Sequence, residues 1–374
     1  MSQDSRIPPA RLPEGKAIVY CQGAFNTPNG KTAHGLVRRT RRYEVLSVVD
    51  SLYGGRDARE VLDGVPRSIP IYASLKEAIE SASGQATHLV VGLAPDGGRL
   101  SPKARQDVLK ALQAGLNVDC GLHDFLSEDP ELIKVSAASG AVIRDIRKPP
   151  HRKDLHFFTG KIEEVDSFTV ALLGTDSAVG KRTTAWLLVD GLQELGHSAE
   201  LIGTGQTAWM QGARYSIVLD SLVNDFVAGE IEHAVWSACK EEHPDVIVLE
   251  GQGSLMNPAY PGGYELLAAG RPDVVVVQHA PTRKEYDGFP GYPLHSLSQQ
   301  VEVIEMISGR PVVAITVNHE GMRPEEVPGA CEDIRHDTGL PAFDVLLDGP
   351  QGLAQEIAKY LKNRSDGPHT AESN

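Results

Sequence analysis

The chain has 374 residues, of which 41% are hydrophobic and 23% charged, a composition typical of folded globular proteins and not of collagen, coiled coils or fully disordered chains. Single hydrophobic cores stop growing below this length, so we expect two domains. The chain carries 36 basic and 50 acidic side chains, and the resulting net charge of −14 repels nucleic acids and anionic membrane surfaces. A small molecule is therefore the expected partner.

The cysteines and the chain start indicate the compartment. Cys21, Cys120, Cys239 and Cys331 lie far apart, without a CxxC motif or Cys/His pairs at zinc-ligand spacing, so neither a disulfide framework nor a metal centre is expected. The first sixteen residues lack the apolar core of a signal peptide, and no apolar run is long enough to span a bilayer. We expect a cytoplasmic homo-oligomer that binds neither membranes nor nucleic acid.

Residues 1–150 show strands alternating with helices, which predicts a parallel, Rossmann-like α/β domain. The three glycines that follow the first strand, Gly23, Gly30 and Gly35, do not reproduce GxGxxG, so a dinucleotide site here has little support. The basic run Arg38–Arg42 is expected to form a solvated face. Strands are predicted at 17–20, 44–49, 68–72 and 88–92, and helices at 74–83 and 103–114.

Residues 151–362 restart the same alternation and form the second predicted domain, a P-loop NTPase-like parallel sheet. Its strands are nearly continuous Val/Ile/Leu runs, typical of a parallel sheet covered on both faces. The polar residues 363–374 are expected to be a flexible tail. Strands are predicted at 167–173, 198–202, 246–249, 274–278 and 312–317, and helices at 182–195, 231–241 and 352–361.

A phosphate-binding loop is predicted where an apolar strand meets a helix. Glycines allow a tight backbone path, successive N–H groups and the helix N-terminus face an anion, and Lys181 adds positive charge. The sequence GTDSAVGKRTT that carries these features comprises Gly174, Thr175, Asp176, Ser177, Ala178, Val179, Gly180, Lys181, Arg182, Thr183 and Thr184.

This loop departs from the GxxxxGK[ST] pattern. Five residues separate Gly174 from Gly180, and Arg182 stands where a hydroxyl would bind magnesium. Any magnesium ligand would then be Thr183 or none, so Mg²⁺ is expected only as the companion of a nucleotide. Nucleotide hydrolysis does not follow from this sequence.

Two polar residues end later strands, at the sheet edge where ligands of open α/β sheets bind. Glu250, in LEGQGSL, can reach a water, a metal or a substrate amine, or else serve as a cap or a buried ion-pair partner. Asn318 can pair with the edge of an adenine, or else close a turn.

The segment from Gln278 to Pro293 concentrates prolines, glycines, aromatic rings and charges directly after a strand, and we interpret it as a substrate loop. Arg283 is able to bind a carboxylate with two parallel hydrogen bonds, while His279 or Asp287 can handle a proton. The alternatives are a satisfied core position for His279 and a solvated ion pair for Lys284 and Glu285.

GTDSAVGKRTT, LEGQGSL and the strand ending in Asn318 together resemble dethiobiotin synthetase and its relatives, in which such elements hold ATP and magnesium. This resemblance covers about residues 167–320. It implies a fold and leaves the reaction open.

A closer resemblance spans nearly the whole chain. A Rossmann-like first domain, the GTD-x-x-VGK-x-TT loop, LIGTGQT, LEGQGSL and QHAPTRKEYDGFP are similar to a bacterial two-domain family, long of unknown function, in which D-glutamate N-acetyltransferase has been recognised. The resemblance implies acetyl transfer from acetyl-CoA to the amine of a D-amino acid. Coenzyme A contains an adenosine diphosphate group, so a loop that binds ADP is also able to bind coenzyme A. Such binding requires no cleavage of a phosphate bond.

The working hypothesis assigns a role to each of these residues. Lys181 and the amides of 177–180 hold the diphosphate, Arg283 holds a substrate carboxylate, Glu250 or His279 accepts the amine proton, and Asn318 contacts adenine. Two rivals stay open: an ATP- and Mg²⁺-dependent ligase or kinase using the same loop, and a non-catalytic nucleotide-binding regulator.

Overall fold

The computed structural model describes residues 12–366, and these residues fall into two compact units. The first contains the described residues up to Asp154 together with Gly205–Leu222. The second contains Leu155–Thr204 and the described residues from Val223 onward. Across 12–366, no helix combines the length and the apolar character needed to cross a bilayer.

The first unit begins with six strands alternating with helices. In chain order these are β1 (Gly15–Tyr20), α1 (Lys31–Arg38), β2 (Tyr43–Val49), α2 (Ala58–Asp63), β3 (Ile71–Tyr72), α3 (Leu75–Ser81), β4 (His88–Val91), α4 (Pro102–Gln113), β5 (Asn117–Cys120), α5 (Pro130–Ser139) and β6 (Ile143–Asp145).

The rest of the chain continues the alternation. It forms β7 (Phe168–Gly174), α6 (Lys181–Glu194), β8 (Ala199–Gly203), α7 (Gln206–Gln211), β9 (Tyr215–Ser216), α8 (Asn224–Glu242), β10 (Val246–Glu250), α9 (Tyr264–Gly270), β11 (Val274–His279), α10 (Leu297–Ser308), β12 (Val312–Val317), α11 (Val327–Thr338), β13 (Ala342–Phe343) and α12 (Gln351–Asp366).

The sheet of the first unit has the order β3-β2-β1-β4-β5-β6, with parallel pairing throughout. Side chains alternate between its two faces: Ile18 and Tyr20 of β1 pack into one core, and Ala17 and Val19 into the other. Burial on both faces explains the apolar strands. The predicted Rossmann-like fold is confirmed.

Segment 205–222 belongs to the first unit, although its sequence neighbours lie in the second. Arg42, which is 1% exposed, binds this segment through Trp209. The guanidinium of Arg42 lies 3.6 Å from the centre of the Trp209 ring, and Nε donates a hydrogen bond to the Trp209 carbonyl at 2.7 Å. The guanidinium also pairs with Glu14. The prediction of a solvated face for Arg38–Arg42 is therefore wrong at Arg42, because an aromatic ring and a carboxylate replace its water.

Within the second unit the parallel strands run in the order β13-β12-β11-β7-β10-β8. β7, which leads into the phosphate-binding loop, lies between β11 and β10 and is buried along its whole length. The α/β class with two parallel sheets is confirmed. The carboxyl ends of β7, β10, β11 and β12 share one edge of the sheet, where ligands of such sheets bind.

Several elements differ from the sequence expectations. α8 starts at Asn224, earlier than the predicted 231, and β3 is shorter than the predicted 68–72. α12 extends to Asp366, so the first four residues of the predicted tail 363–374 are helical, and residues 367–374 lie outside the described part of the chain.

Replacing Arg42 by Ala should lower the free energy of unfolding of the first unit by about 3–5 kcal/mol, because a buried ion pair is broken and the ring of Trp209 loses its cation. Urea unfolding followed by tryptophan fluorescence measures the change. Arg38→Ala is the matched control, since Arg38 pairs with Asp63 at the surface and its loss should cost at most about 1 kcal/mol. Equal effects of the two substitutions would contradict this assignment.

Candidate functional site

The backbone between β7 and α6 forms a tight turn with the features predicted for an anion cradle. Ala178 and Gly180 adopt left-handed conformations with φ of 52° and 102°. Among residues 12–366, the backbone N–H groups of Ala178 and Gly180 donate no hydrogen bond to any acceptor. Successive N–H groups in such a turn point into a common concavity, and the N-terminus of α6 adds positive potential. The predicted cradle thus has free donors for an anion.

Lys181, the first residue of α6, is 7% exposed. Its ammonium donates to the carbonyls of Asp176 and Gly253, each at 2.7 Å. Burial lowers the pKa of Lys181 to about 8; the carboxylates of Asp176 and Glu250 only partly oppose this shift, and Arg283 adds to it. Carbonyl dipoles compensate a buried cation less well than an anion does, so the site favours a negatively charged ligand.

Asp176 connects this loop to two others. It is fully buried; its Oδ1 accepts from the Ser177 N–H at 2.7 Å and the Asn257 amide at 2.8 Å. Its Oδ2 accepts from the Arg283 guanidinium at 2.9 Å and the Asp287 N–H at 2.8 Å. The sequence identified Asp176 only as a member of the cradle and missed Asn257, for which it contains no local signal.

Arg283 is 11% exposed and faces the protein's own acceptors. One guanidinium nitrogen donates to Asp176 and to the Ser177 carbonyl at 2.8 Å, and the other donates to Glu320 at 2.8 Å. A substrate carboxylate would have to compete with these groups. That Arg283 binds substrate stays a prediction, while its contacts in the structure hold the loop in shape.

His279 ends β11, and its Nδ1 lies 3.0 Å from Thr175 Oγ1. Burial lowers the pKa of His279 to about 4, and the charge of Lys284 adds to the shift. The imidazole is therefore neutral near pH 7. Within the described chain its Nε2 has no hydrogen-bond partner. If Nδ1–H donates to Thr175, Nε2 keeps a lone pair that can accept a proton.

Glu250 ends β10 and is 3% exposed. Burial raises its pKa, while Arg182, the hydrogen bond from Thr204 and Lys181 counteract the shift. The backbone N–H of Thr204 donates to Oε2 at 2.9 Å, and the Thr204 hydroxyl donates to the Glu250 carbonyl at 2.8 Å. Glu250 is thus fixed to the end of β8 and contributes negative charge near Lys181.

Asn318, after β12, uses its side chain within the site. Its Nδ2 donates to the Val179 carbonyl at 2.9 Å, and its Oδ1 accepts from the Glu320 N–H at 3.0 Å. Contact with adenine stays a prediction. Asp287 is exposed and receives only a long bond of 3.4 Å from the Ser177 hydroxyl, so its predicted proton-handling role also stays a prediction.

The threonines after Lys181 decide whether magnesium fits. Thr184, on α6, donates its hydroxyl to the side-chain oxygen of Gln278 on β11 at 2.5 Å. The hydroxyl of Thr183 has no hydrogen-bond partner in the described part of the chain, and it is the oxygen ligand that Mg²⁺ would find beside a nucleotide. Over residues 12–366, no group of three or more His, Cys, Asp or Glu side chains is placed to hold a metal.

Comparison with known proteins gives relatives that match most of the chain. It is 30% identical over 285 residues to the D-glutamate N-acetyltransferase of Tritonibacter scottomollicae, covering 75% of this chain and 83% of the relative. It is 30% identical over 284 residues to the D-glutamate N-acetyltransferase of a Pseudoalteromonas species, covering 74% and 83%. The resemblance inferred from the motifs is confirmed at the level of the family.

A solved structure and two family models agree with this. The crystal structure of a DUF1611 family protein from Anabaena variabilis is 28% identical, with a TM-score of 0.85, covering 92% of this chain and 99% of that protein. Residues 156–354 match the domain of unknown function DUF1611_C, a P-loop domain, and residues 53–149 match DUF1611_N, a Rossmann-like domain. The chain therefore belongs to the DUF1611 family.

Proposed function

We propose that this chain is an N-acetyltransferase that moves the acetyl group of acetyl-CoA to the amine of a D-amino acid, most specifically D-glutamate. The observation that carries the proposal is the buried Lys181 beside unpaired N–H donors, in a chain whose relatives named D-glutamate N-acetyltransferase match over 83% of their length. The ammonium and the donors suit the diphosphate of coenzyme A. No step of acetyl transfer needs a phosphate bond to break, so Arg182 in place of a magnesium-binding hydroxyl is tolerated.

The reaction requires a neutral amine, a held thioester and a proton acceptor. The amine nitrogen attacks the thioester carbonyl carbon, the new C–N bond forms, the C–S bond breaks, and coenzyme A leaves as a thiol. The proton lost from nitrogen passes through a base to the departing sulfur. The nitrogen becomes strongly acidic once bonded to the tetrahedral carbon, so a weak base suffices.

His279 fits that role better than Glu250. Its Nε2 is unpaired within the described residues, and its low pKa keeps it neutral and able to accept a proton near pH 7. Glu250 is fully buried and fixed by Thr204. We assign to Glu250 the balancing of the charge on Lys181. Arg283 positions the phosphate-binding loop through Asp176 and the Ser177 carbonyl.

The proposal is tested by mixing the protein with acetyl-CoA and D- or L-glutamate and following the release of free thiol. We expect thiol with D-glutamate, and release slowed in Lys181→Ala, whose affinity for acetyl-CoA should fall by about 1.5–3 kcal/mol, since it loses a charge-assisted hydrogen bond. Lys359→Ala, at an exposed position of α12, is the control and should bind normally. Release of ADP from ATP and Mg²⁺ with no thiol signal would instead support the ligase.

Acetyl-CoA affinity should fall with rising pH above about 8. Lys181 has a pKa near 8 in the free protein, and a bound diphosphate raises it, so binding at higher pH must take up a proton. The decline should approach about tenfold per pH unit. Calorimetry at pH 9 in two buffers of different ionisation enthalpy should show proton uptake in the wild type and none in Lys181→Met. An affinity that stays constant from pH 7 to 9.5 argues against this role of Lys181.

Replacing His279 by Ala should lower kcat by about 10²–10⁴, the usual contribution of a general base, while acetyl-CoA affinity changes little. Glu250→Gln keeps an oxygen for the Thr204 N–H and should have the smaller effect on kcat. Steady-state kinetics and calorimetry on both variants decide between the two bases. A larger loss of kcat in Glu250→Gln would assign the role of general base to Glu250 instead of His279.

A further inference from the structure

Three aromatic side chains form a partly exposed cluster in the second unit. Tyr260 and Tyr292 are 58% and 56% exposed, and Phe289 lies between them. The ring centres of Tyr260 and Phe289 are 6.2 Å apart, and those of Phe289 and Tyr292 are 6.3 Å apart, both in edge-to-face arrangements. We call these three residues the aromatic cluster. Adjacent exposed rings of this size are typical of binding sites.

The cluster is fixed to the phosphate-binding loop through Asp176. The Tyr260 N–H donates to Asn257 Oδ1 at 2.8 Å, and the amide of Asn257 donates to Asp176 at 2.8 Å. From the other side, the Asp287 N–H donates to Asp176 at 2.8 Å, two residues before Phe289. One buried carboxylate therefore holds both chain segments that carry the rings beside the cradle.

The rings stand on an ordered support. Residues 284–294 form a small hairpin, in which the Tyr286 N–H donates to the Tyr292 carbonyl at 3.0 Å and the Leu294 N–H to the Lys284 carbonyl at 2.9 Å. Tyr286 is 3% exposed, and its hydroxyl lies 2.7 Å from His295 Nδ1. Because Tyr286 is buried and the hairpin is hydrogen-bonded, Phe289 and Tyr292 lie on an ordered backbone, which reduces the conformational entropy lost on binding.

The strand order places the cluster next to the cradle. β7 leads into the cradle and lies between β10 and β11; Tyr260 follows β10, and Phe289 and Tyr292 follow β11. A ligand whose diphosphate lies in the cradle therefore has the aromatic cluster beside it, in the loops that follow the two strands flanking β7. In acetyl-CoA the arm beyond the diphosphate is a chain of methylene, methyl and amide groups that ends in the thioester.

We infer that the aromatic cluster binds the acyl-carrying arm of the acyl-CoA. Methyl and methylene groups pack on the ring faces, and the exposed tyrosine hydroxyls remain available to the amides of the arm. This inference rests on the proposed function and adds a second contact region to the same site. The cluster thereby distinguishes an acyl-CoA from a plain nucleotide that shares its diphosphate.

The test compares two probes, acetyl-CoA and 3′-phospho-ADP, which carries the same nucleotide but lacks the arm. Calorimetry on the full chain should show that Tyr260→Ala and Phe289→Ala each weaken acetyl-CoA at least tenfold and 3′-phospho-ADP less than twofold. Tyr260→Phe should retain most of the affinity. Phe158→Ala, at a ring that is 46% exposed and outside the cluster, should change neither.

Each other outcome has a defined meaning. Unchanged acetyl-CoA affinity in the two alanine variants overturns the inference, as does an equal loss for both probes, which would show that the rings only support the cradle. Unchanged affinity together with a lost dimer in sedimentation would assign the cluster to a second copy of the chain. If the wild-type protein binds 3′-phospho-ADP as tightly as acetyl-CoA and releases no thiol, the proposed function itself is wrong. If the alanine variants release thiol at the normal rate, only the inference about the aromatic cluster is wrong. Tyr260→Phe retains the ring, so this comparison stands even if an alanine variant unfolds.

Discussion

The fully buried carboxylate of Asp176 is the interaction on which the candidate site depends. Its two oxygens accept hydrogen bonds from the phosphate-binding loop, from the loop after β10 and from the loop after β11. A buried carboxylate is stable only when its oxygens are satisfied, so these donors must be in place together. The three chain segments are therefore coupled: whatever displaces Arg283 or Asn257 also disturbs the turn that holds Lys181.

The fold was largely predictable from the sequence, because its signals are local. Apolar runs such as β10 and β12 repeat in parallel-sheet patterns, and the glycines and Lys181 lie next to one another in the chain. Arg42 was not predictable, since its basic neighbours suggest a solvated face and its aromatic partner lies 167 positions away. In the structure the guanidinium of Arg42 contacts the ring of Trp209 instead of water. No residue close to Arg42 in the sequence indicates this contact.

The candidate site could be proposed from residue types but not from contacts. Charge and composition pointed to Arg283, His279 and the segment around them, and strand ends pointed to Glu250 and Asn318. Which acceptor each side chain uses depends on pairings across long sequence separations, such as the 81 positions between Asp176 and Asn257. The hairpin shows the same limit: prolines and aromatic rings mark it as an unusual connection, but only the backbone pairing of Tyr286 with Tyr292 makes it an ordered support.

Lys181 differs from three other buried or partly buried cations in what it contacts. Arg42 pairs with Glu14, Arg144 with Asp119 and Arg283 with Asp176, so each of these three has a carboxylate among its direct partners. The ammonium of Lys181 instead donates to two carbonyls, and its desolvation appears as a pKa near 8. The carboxylates of Asp176 and Glu250 offset only part of that desolvation, so an anion bound beside Lys181 would stabilise the folded chain further. The fold thus provides a cation and free N–H groups that suit an anionic ligand.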